Sequence, residues 1–349
     1  MGKILTPFLF FALFLSLGLS GCHKDEDRAP DLTIYAHDSF VGKGGMAEVI
    51  QPLFEKKYGC KIRFVSVGDA AQLVSRLQLD TERAKTEAQV VVGLDAFAFE
   101  RAKPHLETWG SWTPARFDKV PADLKLGSDF LPYDYSLLSF MADLSSIKGK
   151  KLASPVRLTD LLSPEWKKSL ILEDPRTSTP GLMFLVYTQA LLGEKVWKFW
   201  ASLKWNWLTL AKGWSGAYQL FLKGEAPLVW SYVTSQAYHR AHGDLSNHYA
   251  AAVFEEGQPL QVEGAALIKG SVKDPNTRGL AQYFLEFLIS AEVQAALPKK
   301  NWMFPSVEGT QLPAEFQSLP VVTHRLRLNL DAKSVEELLK RWTQEVSKQ

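Results

Sequence analysis

Residues 174–187 of the chain are DPRTSTPGLMFLVY, and this stretch says most about the fold. Hydroxyl side chains precede a Pro-Gly pair and a continuous apolar run, which is the order typical of a helix start. Either Ser178 or Thr179 is suited to cap this helix, and Pro180 suits its first position. The backbone N–H groups at such a start have no partner inside the helix and attract anions. The stretch therefore predicts a helix over 182–192 with an anion site at its beginning.

Aromatic side chains that are suited to contact a cationic ring follow later in the chain. They are Trp214, Tyr232, Tyr238 and Trp302. Their rings are numerous enough to enclose a flat cationic ring. Burial in the core is the competing interpretation for Trp214 and Tyr232, whereas Trp302, between Asn301 and Met303-Phe304-Pro305, is expected to be partly exposed. Together with the anion site, these rings predict a ligand that has a phosphate at one end and a cationic ring at the other.

The spacing of apolar residues in the first hundred residues alternates between the period of two that is typical of strands and the spacing that is typical of helices. It predicts strands at 32–35, 61–67 and 90–93, separated by helices at 46–58 and 70–79. This order indicates an α/β fold with a mainly parallel sheet, in which ligands bind beyond the carboxyl ends of the strands. An aspartate follows each predicted strand at Asp38, Asp69 and Asp95. We expect these carboxylates to face a cleft.

The length of 349 residues favours two domains with sizeable cores. An apolar fraction of 46% and a charged fraction of 22% are ordinary for a globular protein. The net charge of +2 and the lack of a long basic run argue against a nucleic-acid partner. A long strand at 131–141 and another at 261–268 are candidates to connect two lobes.

The first 22 residues have the organisation of a bacterial lipoprotein signal peptide. Lys3 precedes an apolar run at 4–17, which is too short for a membrane span, and LSGC at 19–22 resembles a lipobox. We expect cleavage before Cys22, a lipid on that residue, and a polar tether over 23–30. This places the protein on the periplasmic or cell-surface side of a bacterial membrane. A lipidated Cys22 also leaves the mature chain without a partner cysteine for a disulfide.

Motifs for catalysis and for metal binding are weak. His239 and His242 lie three residues apart, but no third ligand stands at metal spacing, so solvated histidines are the favoured interpretation. The chain has no G-x-S-x-G, no phosphate-binding P-loop and no G-x-G-x-x-G. We therefore predict a binding protein with no catalytic residue, no cofactor and no metal site.

Eight segments carry a resemblance to a known family. They are YAHDSF at 35–40, VGLD at 92–95, DPRTSTPGL at 174–182, KGWS at 212–215, LFLKGE at 220–225, SYVTSQAY at 231–238, LQVE at 260–263 and NWM at 301–303. In this order they resemble the substrate-binding protein of the bacterial thiamine ABC transporter over residues 31–318. The resemblance implies an α/β, two-lobed type II periplasmic-binding-protein fold with the ligand cleft between lobes joined by a hinge. It also implies capture of thiamine, thiamine monophosphate and thiamine diphosphate.

The resemblance further implies a domain arrangement and partners. We expect a discontinuous N-terminal lobe of residues 31–128 and 260–349 and a C-terminal lobe of residues 129–259. The expected partners are a thiamine-type molecule, an ABC permease with its ATPase, and the membrane that holds the lipid anchor. The protein is expected to act as a monomer.

The family's ligand contacts carry over residue by residue. Ser178 and Thr179 are expected to take the phosphate or hydroxyethyl end, in agreement with the helix-start argument. Tyr238 and Trp302 are expected to stack on the ligand rings, and Asp69 to contact the aminopyrimidine or to offset the thiazolium charge. The further contacts implied are Ala70, Trp214, Tyr232, Val233, Thr234, Ser235 and Gln236.

Four positions depart from the family pattern. His37 stands where the family often has tyrosine, so the contact there is expected to be altered or pH-sensitive. Ala70 replaces a frequent glycine, Gln236 replaces a frequent proline, and Pro227 replaces a frequent aspartate before a strand. None of these changes removes the anion site or the aromatic pair.

Other functions fit parts of the sequence. Tyr232 and Tyr238 could bind ferric iron as phenolates, although iron-binding relatives generally use adjacent tyrosines; a polyamine is a further candidate ligand. Thiamine-degrading transferases share the type II fold and use a cysteine nucleophile with an acidic base. Only Cys60 could take that role, and it stands at a strand start with no evident base.

Overall fold

The structure is a computed structural model that describes residues 31–244, 246 and 248–347. The predicted signal peptide, the lipobox cysteine Cys22 and the tether over 23–30 lie outside the described residues. Within the described ranges, no helix has the length and apolar character needed to cross a bilayer.

Strands form a continuous sheet through the described part of the chain. Their bounds are β1 (Leu32–Ala36), β2 (Ile62–Ser66), β3 (Val90–Leu94), β4 (Leu131–Asp143), β5 (Leu170–Glu173), β6 (Trp207–Ala211), β7 (Leu228–Tyr232), β8 (Tyr249–Ala252), β9 (Gln258–Leu267), β10 (Phe304–Pro305) and β11 (Arg325–Leu326). The main path runs β2-β1-β3-β9-β4-β7-β5-β6, with β8 and β10 paired to β4 and β11 paired to β9.

Helices cover both faces of this sheet. Their bounds are α1 (Asp38–Val41), α2 (Ala47–Tyr58), α3 (Ala70–Glu82), α4 (Ala96–Ala102), α5 (Leu144–Gly149), α6 (Thr179–Leu192), α7 (Val196–Leu203), α8 (Trp214–Leu222), α9 (Ser235–Ala241), α10 (Pro275–Leu288), α11 (Ala291–Lys300) and α12 (Ala332–Trp342). The α/β class predicted from the alternating periodicity is therefore confirmed.

Strand directions make the sheet mixed where a mainly parallel one was expected. β1 pairs parallel with β2 and β3, and β5 pairs parallel with β6 and β7. The central strands β4 and β9 pair antiparallel with each other, and their outer neighbours β7 and β3 are also antiparallel to them. These two long strands join two parallel units, which local periodicity alone did not indicate.

The strand β4 crosses between two hydrophobic cores. Leu137 belongs to a first core built on β1, β2 and β3, whereas the adjacent Leu138 belongs to a second core built on β4, β5 and β7. Neighbouring residues of a strand face opposite sides of the sheet, so one strand serves both cores. The elements around these cores are called the first and second lobes below. The predicted crossing strand at 131–141 is confirmed.

The C-terminal helix α12 packs on the second lobe. Val335, Leu338 and Trp342 are buried in the second core, where the Trp342 ring lies edge-on to Trp200 at 5.8 Å. This differs from the expected boundaries, which assigned residues 260–349 as a whole to the first lobe. The sequence does not reveal which core the apolar face of this helix joins.

The helix α6 that follows DPRTSTPG is buried on every side. Each residue from Thr179 to Thr188 is inaccessible, as expected for a helix that is apolar all round. It begins at Thr179 rather than at 182, and Ser178 occupies the N-cap position without a side-chain cap bond. Backbone contact explains the glycine in this motif: a Cβ on Gly181 would lie 2.5 Å from the carbonyl oxygen of Glu173.

Candidate functional site

A cleft of about 1000 Å³ lies between the two lobes. The first lobe contributes α1 with its glycine-rich loop, the turn before α3, and the end of α11. The second lobe contributes the turn before α6, the first turn of α8, the end of β7, and α9. The carboxyl ends of several parallel strands thus meet at one cavity, where α/β folds bind ligands.

One wall of the cleft is aromatic and rigid. Trp214 opens α8, and its indole N–H donates to Ser231 Oγ at 2.8 Å. Its ring stacks on Tyr218 with centroids 4.9 Å apart and planes 24° apart. Tyr232 completes this wall, with its ring 5.9 Å from that of Trp214. Stacking and the hydrogen bond hold the indole in place before a ligand arrives.

A second group of rings continues from the first, since the Tyr238 ring lies 6.3 Å from that of Tyr218. Tyr238 and Trp302 meet edge to face, with centroids 5.4 Å apart and planes 88° apart. His242 lies 4.2 Å from the Tyr238 ring and 5.8 Å from Trp302. The backbone of Trp302 has φ of +55°, a conformation that bulky residues rarely adopt. Such strain is concentrated at functional positions because the surroundings must hold the side chain there.

The cleft floor contains a buried ion pair. His37 Nε2 lies 3.4 Å from Glu263 Oε2, to which the Tyr133 hydroxyl donates at 3.0 Å. Burial lowers the pKa of His37, but the hydrogen bond and charge of Glu263 outweigh it and raise this pKa above its ordinary value. Burial raises the pKa of Glu263, but His37 outweighs it and lowers this pKa. The pair therefore adds little net charge to the floor.

Asp69 is the second carboxylate of the floor. It caps α3, since its Oδ1 accepts from the Ala70 N–H at 2.9 Å and Gln72 returns a bond to the Asp69 N–H. Within the described residues it has no cation at ion-pair distance. Burial raises the pKa of Asp69 to about 6, against the lowering effects of the Ala70 N–H and of His37. A ligand cation in the cleft would favour the ionised form of this group.

Seven of the predicted contacts line the cleft together. They are His37, Asp69, Trp214, Tyr232, Ser235, Tyr238 and Trp302. Six others lie outside its lining: Ala70, Ser178, Thr179, Val233, Thr234 and Gln236.

Three of those outside the lining support the wall from behind. Thr234 Oγ1 lies 2.9 Å from Ser136 Oγ, and the Gln236 amide bridges Ser318 O and Ala251 N. Val233 is buried in the first core. The prediction assigned every residue from 232 to 236 to the site. Successive side chains of a turn that leads into a helix point in different directions, so only some of them reach the cleft.

Ser178 and Thr179 are also buried, between Thr177 and Pro180, which do line the cleft. Thr179 Oγ1 donates to Asp95 Oδ2 at 2.7 Å, which joins the start of α6 to the start of α4. The Ser178 hydroxyl has no hydrogen-bond partner within the described chain. The structure therefore gives Thr179 a packing contact between α6 and α4, whereas ligand binding by both hydroxyl groups stays a prediction. Asp95, expected to face the cleft, is buried by the same contact.

Several lining residues were not singled out from the sequence. Glu263 was quoted only within a segment, although it is the one charged residue of the otherwise uncharged strand β9. Tyr218 and His242 extend the aromatic walls, and both lie within a helical turn of predicted contacts. Each follows a predicted contact, Trp214 or Tyr238, by four residues and so lies on the same helix face. This spacing is a signal that would have identified both residues.

Replacing Asp69 with asparagine is expected to stabilise the ligand-free protein at pH 8 by about 1 kcal/mol. The folded protein raises the pKa of Asp69 from 3.8 to about 6, so it binds this proton more tightly than the unfolded chain. Stability therefore falls as the pH rises between these values, and asparagine removes that loss while keeping the helix cap. Urea denaturation at pH 4 and pH 8 measures the effect. An equal gain at both pH values would contradict it.

Comparisons with known proteins find relatives that are similar to this chain in sequence and in fold. Residues 87–327 match the family of bacterial extracellular solute-binding proteins. The "Thiamine-binding periplasmic protein" of Brucella melitensis is 37% identical over 322 residues, covering 90% of each chain. The Escherichia coli protein of the same name is 39% identical over 290 residues, covering 83% of this chain and 85% of the relative. A solved "Periplasmic thiamin binding protein" superimposes with a TM-score of 0.79 at 34% identity, covering 90% of this chain and 96% of the other.

Proposed function

The chain belongs to the bacterial extracellular solute-binding proteins and, among them, to the thiamine-binding periplasmic proteins with the two-lobed type II fold. From this membership we propose that it captures thiamine and its phosphates in the cleft and delivers them to an ABC permease and its ATPase. The observation that carries the proposal is the pairing of two aromatic walls with a carboxylate floor.

Thiamine matches this pairing because its thiazolium ring is flat and permanently cationic. Trp214 and Tyr232 offer one set of ring faces, and Tyr238 and Trp302 offer the other. A cation between such rings gains roughly 0.5–2 kcal/mol of cation–π attraction, more as water leaves. Asp69 supplies the negative charge that offsets the thiazolium or accepts from the aminopyrimidine amine.

Capture requires that the lobes close over the ligand. Only β4, β9 and the C-terminal segment before α12 pass between the lobes within the described residues. In our proposal the lobes of residues 31–128 with 260–331, and 129–259 with α12, rotate about these crossings. The closed form is what the permease recognises.

Ferric iron fits the cleft less well. Burial raises the pKa of Tyr232 well above its ordinary value, and its hydroxyl accepts from the Gln261 amide at 2.8 Å. The burial effect is the larger and disfavours a phenolate ligand, whereas the hydrogen bond from Gln261 acts in the opposite direction and lowers the pKa of Tyr232. Among the described residues, no group of three or more His, Cys, Asp or Glu side chains is arranged to hold a metal ion.

A thiamine-degrading transferase also fits less well. Its chemistry needs an accessible thiol in the cleft, but Cys60 is 9% exposed and belongs to the first core. It is absent from the cleft lining. We therefore propose binding without turnover, by a monomer held at the periplasmic side of the membrane through a lipid on Cys22.

Calorimetric titration of the purified protein with thiamine, its monophosphate and its diphosphate tests the proposal. The protein is first unfolded and refolded, so that ligand retained through purification is removed. We expect one-to-one binding of all three compounds with no product formed. Absence of heat with all three would overturn the thiamine assignment, and continued heat with product would identify an enzyme.

A further inference from the structure

The sequence favoured a solvated His239, but the structure buries this residue of α9 in the second lobe, where it is 5% exposed. Its ring stacks on Tyr249 of β8, with centroids 3.9 Å apart and planes 14° apart. Phe221 of α8 lies edge-on to the same imidazole at 6.2 Å. A polar ring that is enclosed in this way needs a hydrogen-bond partner.

The partner is Tyr218, whose hydroxyl lies 2.9 Å from His239 Nε2. The other side of this contact is the first aromatic wall, because Trp214 stacks on the Tyr218 ring. Tyr218 and Trp214 line the cleft, whereas His239 is absent from the lining. The imidazole therefore stands behind the wall and holds the ring that supports the indole.

Hydroxyl groups join the same rings by a second route. The indole N–H of Trp214 donates to Ser231 Oγ, and Ser231 Oγ lies 2.9 Å from Ser235 Oγ. Burial raises the pKa of the Tyr218 hydroxyl, and a hydrogen bond from Ser235 acts in the opposite direction. Since a bond that lowers this pKa stabilises the phenolate, the Ser235 hydroxyl donates to the phenolic oxygen. A hydrogen-bonded chain thus runs from the indole to the imidazole.

The donors of this chain all point the same way. An indole N–H can only donate, and Ser235 donates to Tyr218, so the hydrogen of Ser231 is directed at Ser235. The Tyr218 hydrogen is then directed at His239 Nε2, which accepts it only as the neutral ring with its proton on Nδ1. Burial lowers the pKa of His239 to about 4, against the raising effect of Asp244. Neutral His239 is therefore the last acceptor of the chain.

We propose that His239 is a positioning residue, which holds the Trp214 indole in its binding orientation through Tyr218 without touching the ligand. The inference rests on the proposed function where it concerns affinity, since the ligand is the thiamine compound assigned to the cleft. The order of the indole in the ligand-free protein does not depend on that assignment. An indole that is held in place beforehand loses less conformational freedom when the ligand binds, which raises the affinity.

The test replaces His239 with phenylalanine, which keeps a ring against Tyr249 and removes the acceptor nitrogen. Fluorotryptophan labelling gives each tryptophan a fluorine NMR signal, and the signal of Trp214 is the one that Trp214→Phe lacks. We expect one narrow Trp214 signal in the ligand-free parent, and a shifted and broadened one in His239→Phe. Calorimetry on the refolded variant should show about fivefold weaker binding of thiamine and of both phosphates, by the same factor for each.

Two further variants separate positioning from general loss of stability. His239→Gln supplies an amide oxygen as acceptor and should restore part of the affinity and of the narrow signal. Thr188→Val is the matched control, because the Thr188 hydroxyl accepts from the Trp200 indole at 3.0 Å in the second core, and both residues are absent from the cleft lining. It also leaves a buried aromatic donor without its acceptor, but we expect the Trp214 signal and the affinity to stay at parent values.

An unchanged Trp214 signal in His239→Phe would overturn the proposal, and so would parent affinity beside a changed signal. Equal effects of Thr188→Val would overturn it too, because they would reflect stability alone. Tyr218→Phe removes the same hydrogen bond from its other end and keeps the stacking surface, so its Trp214 signal decides the question if His239→Phe does not fold. Failure of the parent protein to bind any thiamine compound would instead overturn the proposed function and leave the NMR comparison intact.

Discussion

Replacing Trp302 with alanine is expected to weaken the binding of thiamine and of both phosphates about a hundredfold. The indole lines the cleft and meets Tyr238 edge to face at 5.4 Å. Its removal eliminates one face of the aromatic enclosure and admits water beside the cationic ring. It also leaves Tyr238 without the neighbour that fixes its orientation. Calorimetry on the refolded variant measures the loss for each ligand.

The loss should be uniform across the three ligands because Trp302 contacts the rings they share. Trp302→Phe keeps a ring and should recover part of the affinity. Trp205→Ala is the matched control, because Trp205 is 70% exposed and absent from the cleft lining. Binding by Trp302→Ala at the parent affinity would contradict the aromatic enclosure, and thermal unfolding at the parent temperature establishes that the variant is folded.

Replacing Gly181 with alanine is expected to destabilise the protein by about 3 kcal/mol. The new Cβ would lie 2.5 Å from the carbonyl oxygen of Glu173 and 2.8 Å from its carbonyl carbon. Those atoms belong to the backbone at the end of β5, so they cannot rotate away as a side chain would. The start of α6 must instead move off the sheet, which disturbs the Thr179–Asp95 contact between the lobes.

Thermal unfolding of the ligand-free protein measures this effect, and we expect a decrease of roughly 5 °C in Tm. Gly216→Ala provides a matched control, since Gly216 is the third residue of α8 as Gly181 is the third residue of α6. A Cβ on Gly216 meets nothing within 4 Å, so this change should be neutral or stabilising by up to about 1 kcal/mol. Similar Tm values for the two variants would contradict the prediction that a Cβ at position 181 destabilises the protein through its contact with Glu173.

The order of helices and strands was predictable because it depends on local patterns. Period-two and helical spacing located β1, α2, β2, α3 and β3 in the first lobe to within a few residues. The DPRTSTPG motif located the start of α6, since proline and glycine restrict the backbone wherever they occur. Helix α11 was missed because Pro298 and its last-turn lysines obscure a helical pattern.

The roles of individual side chains in the site were harder to predict. The indole of Trp302 was expected to be partly exposed, and it lines the cleft, while its stacking on a ligand stays a prediction. Ser178 and Thr179 were expected to cap or bind an anion. Thr179 Oγ1 donates to Asp95 instead, and Ser178 holds the N-cap position without a side-chain cap bond, while anion binding by either residue stays a prediction.

By itself, the sequence determined the α/β class, the crossing strand at 131–141, the helix that follows DPRTSTPG, and the family to which the chain belongs. Only the tertiary structure decided which residues face the cleft, that His37 pairs with Glu263, and that α12 joins the second core. Local patterns report backbone preference and the polarity of a face. Pairing and burial depend on contacts between residues distant in the chain, and these form only when the lobes pack.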